Sequence, residues 1–486
     1  MGYLERLITT KNYLLLTNVV LVFFLILFSN LKLIPLHAGD FIFAALLVLF
    51  FALYRPGWCF LFFIGMLPLE NINLAPAEWD LFIRPYQFFG VLIIVAIIIR
   101  FLTKRLFFKL IKPAWYDWLV FIFVFAGFLS VIGAPEKIIS LKLSVILGSF
   151  AALYFLARNY IQTMEDLKRI IPFFVSSSII VVLYGIWQNW AYLHNLAHFE
   201  VMPGRPNATF TEPDWLGMFL VLLTSVIYIF IYYFHVIASE AKQPRDCRVV
   251  PRRLGTPRND VSIFIFLIFT FILLILTVSR SAWLGALITA FMFLFAIWTN
   301  LRLRNWRWRE VLNIKLKILA SLIIAIVIVY VFHLTNFQLF NRVESVGTGL
   351  QKITISCQRS DCFPPETINN IENLETCGCR HINLEEIDQE RSLGYSVLEV
   401  YRKDPNVQTR NEIYRKSIAE IKKHPVLGIG WGNINNILGR DERGTPLNSS
   451  NIFLETWLGS GIIGFLALVV LLGYILLKAI KNYHFH

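Results

Sequence analysis

The stretch Val261–Thr299 is almost entirely apolar and contains a single charged residue, Arg280. A helix that spans a bilayer needs only about 20 residues, so this stretch is long enough for two spans. The segment Thr277–Trp283 (TVSRSAW) predicts a tight turn between them, with Arg280 at the membrane surface. Mid-bilayer, a lone arginine would cost about 2.5–3.5 kcal/mol on insertion scales. A guanidinium beside lipid is well suited to bind carboxylate or phosphate.

Similar apolar runs recur along the whole chain, which is 57% hydrophobic and 16% charged. A soluble chain would carry about 25% charged residues, and a membrane β-barrel would show strands of about 10 residues with alternating polarity. We therefore predict an all-α polytopic membrane protein. The twelve predicted spans lie near 13–32, 39–55, 58–70, 83–102, 115–133, 140–158, 169–190, 214–237, 260–278, 281–299, 315–335 and 452–478.

Basic residues are concentrated in three connections between spans, 100–114, 238–259 and 300–317. Cytoplasmic loops carry such an excess, so both termini are predicted to be cytoplasmic. The third span is short and could be re-entrant, which would reverse the spans before it. The net charge of +13 resides mainly in these loops and does not indicate nucleic-acid binding. The inner-loop basic residues are expected to contact anionic membrane lipids.

One long hydrophilic segment falls on the predicted outer side. It divides the chain into a transmembrane bundle of about eleven spans (1–335), a large loop domain (336–450), and the last helix with a short cytoplasmic tail (451–486). Four of the six cysteines lie in this loop: Cys357, Cys362, Cys377 and Cys379. They predict one or two disulfides in an oxidising space. The alternative is a zinc site, although the Cys-x4-Cys and Cys-x-Cys spacings are irregular for zinc and no metal site is predicted.

The loop also contains one amphipathic segment, Thr409–His424, whose apolar residues recur at helical spacing. Thr409 and Glu412 have the spacing of a capping box, and Pro425 would stop the helix. Such a helix could lie on the membrane or on the bundle.

Three outer segments each lead into a helix that runs inward: Pro203–Trp215, Ser279–Trp283 and Leu447–Phe453. A helix N-terminus presents unpaired N–H groups and about half a positive charge. Together with Arg205 and Arg280, these N-termini predict an anion site at the outer membrane surface. The alternative is that each arginine is an interface anchor at a helix end.

Local features support the helix starts. Thr211 and Asp214 have capping-box spacing around Pro213, and Ser279 and Ser450 are candidate caps.

These segments, in this order, resemble the O-antigen ligase and polymerase superfamily of bacterial envelope enzymes. The resemblance covers roughly residues 200–470. The order and spacing of the matching segments are more specific than any one segment alone. The matching segments are Arg205 with Ala208–Asp214, Ser279 with Arg280, Arg410 to Tyr414, His424 to Gly432, and Asn451 to Leu454 followed by Gly461 and Gly464.

The resemblance implies a GT-C-like bundle of about twelve transmembrane helices in the bacterial cytoplasmic membrane, with the large loop outside. It implies an inverting glycosyltransferase that needs neither metal nor cofactor. The donor would be an undecaprenyl-diphosphate-linked glycan, and the acceptor a hydroxyl on a glycan or lipid. Arg205 and Arg280 would hold the diphosphate and stabilise it as it leaves. Five further residues would contact substrate: Arg410, His424, Gly428, Gly430 and Asn451.

One departure concerns the base. The position of the family histidine is Ser450, and a serine hydroxyl is not a general base near neutral pH without an activator. Candidates to replace it, or to share its role with Ser450, are Glu212, Asp214, Glu455 and His424. Glu212 and Asp214 could equally be first-turn acids that favour the helix dipole.

Three other functions remain open. They are a polysaccharide polymerase of the same superfamily, a lipid-linked glycan flippase, and a non-catalytic glycan-binding relative.

Overall fold

The computed structural model of the chain is mostly helical and describes residues 7–79, 81–106, 108–197, 199–202, 204–240, 257–304, 308–335, 350–358, 365–368, 374, 378–382, 387–403, 405–439, 447, 449 and 451–484. The helices, in chain order, are α1 Leu7–Asn30, α2 Ala38–Tyr54, α3 Pro56–Met66, α4 Pro85–Leu102, α5 Trp115–Ser130, α6 Lys137–Tyr160, α7 Met164–Leu193, α8 Pro213–Glu240, α9 Pro257–Leu276, α10 Arg280–Arg304, α11 Trp308–Val331, α12 Ile387–Ser392, α13 Pro405–Lys423, α14 Ile434–Leu438 and α15 Ile452–His484. The strands are β1 Leu350–Cys357, β2 Thr367–Ile368, β3 Cys379–His381 and β4 Ser396–Lys403.

Among the described residues, nine helices are long and apolar enough to cross a membrane. Three shorter apolar segments, Ala38–Tyr54, Pro56–Met66 and Val261–Leu276, lie at the second, third and ninth predicted spans. The chain is therefore a multi-pass membrane protein, while the count of twelve spans stays a prediction. Helix α3 has only 11 residues and is largely buried among its neighbours. Burial inside the bundle is the usual place for an apolar helix too short to span.

Several connections between helices meet at one end of the bundle. Thr209 Oγ1 donates to the carbonyl of Pro68 at 2.6 Å, which joins the α7–α8 connection to the α3–α4 connection. Arg205 Nε donates to the carbonyl of Thr277 at 3.0 Å, which joins it to the α9–α10 turn. We call this end, formed by residues 67–84, 194–212 and 277–279, the arginine end. These connections are the predicted outer loops; the side of the membrane on which they lie stays a prediction.

The first turns of α8 and α10 lie side by side because α8 has a glycine at the contact. A Cβ at Gly217 would lie 2.6 Å from the Cβ of Ala282 and 3.4 Å from that of Ser279. Only a residue without a side chain allows the two helix starts to approach this closely. One turn further into α10, Gly285 is less crowded, since a Cβ there would lie 3.4 Å from Val221.

We expect Gly217→Ala to lower the free energy of unfolding by about 1–3 kcal/mol, the usual cost of overpacking a well-packed interface. Gly285→Ala is the matched control on the same interface, and its effect should be small. Thermal unfolding of the two variants in detergent measures the difference. Equal shifts in both would contradict the close approach at Gly217.

The loop domain corrects the all-α prediction, because it contains a four-stranded sheet in the order β2-β4-β1-β3. Strand β1 pairs antiparallel with β3 and β4, and β2 pairs parallel with β4. Alternate residues of β1, among them Ile353, Ile355 and Cys357, are buried in a small apolar core of their own. The period-2 alternation that specifies such a strand was present in the sequence but short.

A disulfide joins Cys357 to Cys379 and links β1 to β3 where these residues lie opposite each other. Cys59 is a free, buried cysteine in α3. Cys362 and Cys377, the other two disulfide candidates, lie outside the described residues.

The predicted amphipathic helix of the loop is confirmed as α13, which begins at Pro405 rather than at Thr409. The capping box assigned to Thr409 was therefore wrong, because Thr409 lies inside the helix. Ile413 and Ile421 on its buried face pack with Leu458 of α15. The sequence left open whether this helix lies on the membrane or on the bundle; this face of α13 lies on the bundle.

Candidate functional site

Arg205 lies in a tight turn at the arginine end and is held on several sides. Residues 202 and 205 form an isolated antiparallel bridge, and Arg205 N donates to the Met202 carbonyl at 3.0 Å. Its Nε donates to Thr277, and its Nη2 lies 3.3 Å from Asp214 Oδ1. The side chain is 14% exposed. The guanidinium is thus fixed in position before any ligand arrives.

Two buried amides anchor the backbone around Arg205. Gln188 Oε1 accepts hydrogen bonds from the N–H groups of Asn207 and Ala208 at 3.2 and 2.8 Å. Gln188 Nε2 donates to the carbonyl of Phe199 at 2.9 Å, and Asn207 Nδ2 donates to that of Phe210 at 2.6 Å. Both side chains are almost fully buried. Because buried polar groups need partners, this network leaves the loop few alternative conformations. Sequence reasoning missed these residues; the only signal was a glutamine inside an apolar span.

Arg280 is the first residue of α10, as the sequence predicted, and its side chain is partly buried. The turn before it is tight: Val278 has φ 52°, a left-handed conformation that is costly for a β-branched residue. Trp283 Nε1 donates to the carbonyl of Leu274 at 3.0 Å and ties α10 back to α9. The backbone of Thr277, three residues before Arg280, is the group that Arg205 contacts. The segments that carry the two arginines therefore meet.

The helices beside these arginines add to the positive potential. Helix α8 begins at Pro213 and α10 at Arg280, and their first turns touch at Gly217. Each N-terminus contributes about half a positive charge. Two guanidinium groups and two helix N-termini at one end of the bundle form an arrangement suited to an anion.

The two acids of the α8 start differ in their contacts. Asp214 is 51% exposed and forms the ion pair with Arg205. Glu212 is exposed, and its carbonyl accepts a hydrogen bond from Leu216 N at 3.2 Å, as expected just before the helix. Helix α8 thus starts at Pro213, two residues after the predicted cap Thr211. Asp214 pairs with Arg205 and would have to give way to an anionic ligand.

We expect Asp214→Asn to tighten the binding of inorganic pyrophosphate, because the substitution frees Arg205 and removes a competing negative charge. An exposed ion pair is worth about 0.2–1 kcal/mol, so the gain should be at most about fivefold. Isothermal titration calorimetry on the purified protein measures it. The control is Asp40→Asn, which removes an exposed first-turn acid of α2. Weaker binding in Asp214→Asn would show that Asp214 holds the site rather than blocks it.

The third predicted segment, Leu447–Phe453, contains the start of α15. Asn451 Oδ1 accepts from the N–H groups of Phe453 and Leu454 at 2.9 and 3.4 Å, so Asn451 caps the helix. Glu455 Oε2 accepts from Ser449 Oγ at 2.5 Å and from Ser449 N at 3.1 Å. Ser450 lies outside the described residues. Helix α15 packs mainly against α5 and α13. The described contacts therefore bring two of the three helix starts together, while α15 packs mainly with α5 and α13.

The glycine motif after α13 docks into a break in α15. Gly461 interrupts the helix with φ 66°, which leaves backbone groups unpaired inside the bundle. Ile429 N donates to the Leu458 carbonyl at 2.7 Å, and Ile462 N donates to the Pro425 carbonyl at 3.1 Å. The loop thus supplies the partners that the break removes, a condition for irregular backbone at membrane depth.

Two predicted substrate contacts in this motif, Gly428 and Gly430, pack closely against neighbouring atoms. Gly428 has φ 69°, and a Cβ there would lie 2.3 Å from the Leu458 carbonyl oxygen. A Cβ at Gly430 would lie 2.4 Å from Ser140 Oγ. His424 and Arg410 are exposed, and His424 Nε2 lies 3.5 Å from Glu420 Oε1. Their role toward a ligand stays a prediction.

We expect Gly428→Ala to undo this docking and to lower the thermal midpoint of unfolding in detergent. Gly394→Ala is the control, because Gly394 also has a positive φ (83°) but no atom within 4 Å of its added Cβ. Both variants carry the left-handed cost of about 1–2 kcal/mol. Only Gly428→Ala adds a clash, so a loss equal to that of the control would contradict the docking.

One further carboxyl at the arginine end escaped the sequence reasoning. Glu200 Oε2 accepts a hydrogen bond from Gly204 N at 2.8 Å, which places Glu200 at the base of the turn that carries Arg205. Burial raises the pKa of this carboxyl from 4.5 to about 7, against the opposing effect of the Gly204 hydrogen bond. Nothing in the local sequence distinguishes Glu200 from an ordinary loop glutamate.

Within the described part of the chain, no cluster of three or more histidine, cysteine, aspartate or glutamate side chains could hold a metal ion.

Comparison with known proteins gives one match. A family model described as O-antigen ligase matches residues 265–469. This range includes Arg280, the loop domain, the glycine motif and most of α15, and it excludes Arg205. No curated protein and no solved structure matches the chain.

Proposed function

Since residues 265–469 carry an O-antigen ligase family domain, which supports a ligase- or polymerase-like role in making envelope glycans, we propose a specific reaction. The protein transfers a glycan from an undecaprenyl-diphosphate carrier to an acceptor hydroxyl. The reaction takes place at the outer face of the bacterial cytoplasmic membrane. The arginine end is its active site.

One observation carries the proposal: Arg205, from outside the family match, donates to the Thr277 carbonyl in the turn that leads to Arg280. A diphosphate has four or more oxygens to satisfy, and a guanidinium forms bidentate, charge-assisted bonds with phosphate. The two arginine segments and the starts of α8 and α10 offer such donors together.

The arginines act on the leaving group. As the bond between the anomeric carbon and the diphosphate oxygen breaks, negative charge develops on the diphosphate. Fixed donors aimed at developing charge lower the barrier, and removing one such donor costs about 100- to 1000-fold in other enzymes. Arg205 is already oriented by Thr277 and exchanges Asp214 for phosphate. The positive charge of both side chains serves where other enzymes use a metal ion.

The acceptor decides between ligation and polymerisation. If the acceptor is a second copy of the lipid-linked glycan, the product is a longer polymer. If it is a different lipid or glycan, the product is a conjugate. An assay of the purified protein in liposomes with both acceptor types separates the two outcomes.

We expect Arg280→Lys and Arg205→Lys each to weaken the binding of undecaprenyl diphosphate about tenfold or more. Lysine keeps the positive charge but loses the planar set of N–H donors that binds phosphate in a bidentate way. A hydrogen bond to a charged group is worth about 1.5–3 kcal/mol, and 1.4 kcal/mol corresponds to tenfold. The transfer rate should fall in parallel. The control is Arg84→Lys at the same end, where Arg84 pairs with Glu70.

Normal binding and transfer in both lysine variants would contradict the proposal and leave the arginines as interface anchors. Movement of the lipid-linked glycan across the liposome membrane without transfer would instead indicate a flippase.

A further inference from the structure

The proposed reaction needs a group that accepts the proton of the acceptor hydroxyl, and the carboxyls around the arginine end are mostly occupied. Asp214 pairs with Arg205, which occupies one of its oxygens. Glu70 pairs with Arg84 and accepts from Tyr86 Oη at 2.8 Å. At the start of α15, Glu455 accepts hydrogen bonds from Ser449.

Glu200 differs from these carboxyls in its contacts. Its Oε2 accepts one hydrogen bond, from Gly204 N. Its Oε1 is buried and has no hydrogen-bond partner among the described residues. A buried polar atom without a partner is uncommon in native structures and calls for an explanation, such as a catalytic role or a bound donor. The residue as a whole is only partly buried, so it lies near the surface of the arginine end.

The position of Glu200 suits a base for an inverting transfer. The attacking hydroxyl and the departing diphosphate lie on opposite sides of the anomeric carbon, so the base must be near the arginines without touching them. Glu200 and Arg205 stand at the two ends of one short turn, and the described contacts of Glu200 include no cation. The buried amides Gln188 and Asn207 hold this turn in place.

We propose, on the basis of the proposed function, that Glu200 is the catalytic base that activates the acceptor hydroxyl. The acceptor oxygen attacks the anomeric carbon as its proton passes to the Glu200 carboxylate. The bond from that carbon to the diphosphate oxygen breaks, and undecaprenyl diphosphate leaves with the electron pair. Glu200 then returns the proton to water.

The ionisation of Glu200 fits this role. Burial raises its pKa to about 7, and a base is most effective when its pKa lies near the operating pH. The reaction requires the deprotonated form, so kcat should rise as pH increases through about 7 and then level off. Other described ionisable groups on the segments around this turn are His194, Arg205, Glu212, Asp214 and Arg280, with Glu70, Glu78 and Arg84 on the α3–α4 connection.

The test compares Glu200→Gln, Glu200→Asp and the wild type in transfer from a lipid-linked glycan in liposomes. Glutamine keeps an acceptor for Gly204 N but cannot take a proton, so kcat should fall about 100-fold or more. Binding of undecaprenyl diphosphate should change less than twofold. Glu200→Asp keeps a base at a greater distance and should retain part of the rate, with the rise of kcat at a different pH from the wild type because the new carboxylate has different surroundings. Glu78→Gln, an exposed acid on the α3–α4 connection, is the matched control.

The outcomes separate the two ideas. If the wild type transfers glycan and Glu200→Gln keeps its rate, or loses rate but keeps the wild-type pH profile, Glu200 is not the base and the proposed function stands. If the wild type binds undecaprenyl diphosphate but transfers no glycan to either acceptor type, both proposals fail. If Glu200→Gln fails to fold, as judged by its unfolding midpoint, the Glu200→Asp pH profile decides, and a profile unchanged from wild type overturns the inference.

Discussion

The hydrogen bond from Arg205 Nε to the Thr277 carbonyl is the contact on which the candidate site depends. Helix α9 ends at Leu276, and the carbonyls at a helix end have no partner within the helix. Arg205 satisfies one carbonyl just past this end and is itself fixed by doing so. This one contact satisfies a carbonyl that the helix leaves without a partner, and it also fixes the position of a positive charge. It also joins the part of the chain before the family match to the part inside it.

The described carboxyls at the arginine end include some that pair with an arginine and one, Glu200, whose described contacts include no arginine. Asp214 and Glu70 each pair with an arginine. Glu200 has only a backbone N–H as a described partner and keeps a raised pKa. The desolvating surroundings of Glu200, rather than its identity, give it a distinct chemistry.

The sequence predicted the elements whose signal is local. Hydropathy located the apolar helices, and the lone Arg280 marked the turn between α9 and α10 within a residue or two. Spacing of apolar residues found α13, although not its start. Contacts between distant segments were not predictable: Gln188 with Asn207, Gly217 with Ala282, and the glycine motif with α15. The local sequence around each of these residues shows no distinguishing pattern. The role of each residue depends on the distant residue that the fold brings into contact with it. The small sheet was missed because two of its strands have only two and three residues and its surroundings are polar.

The interruption of α15 at Gly461 has a consequence for assembly. The backbone groups freed there are satisfied by Pro425 and Ile429, which belong to the loop domain. The final helix cannot complete its hydrogen bonding until the glycine motif has packed against it. The C-terminal helix and the preceding loop therefore depend on each other for a fully hydrogen-bonded backbone. A chain truncated before residue 452 would lack the helix against which the loop packs.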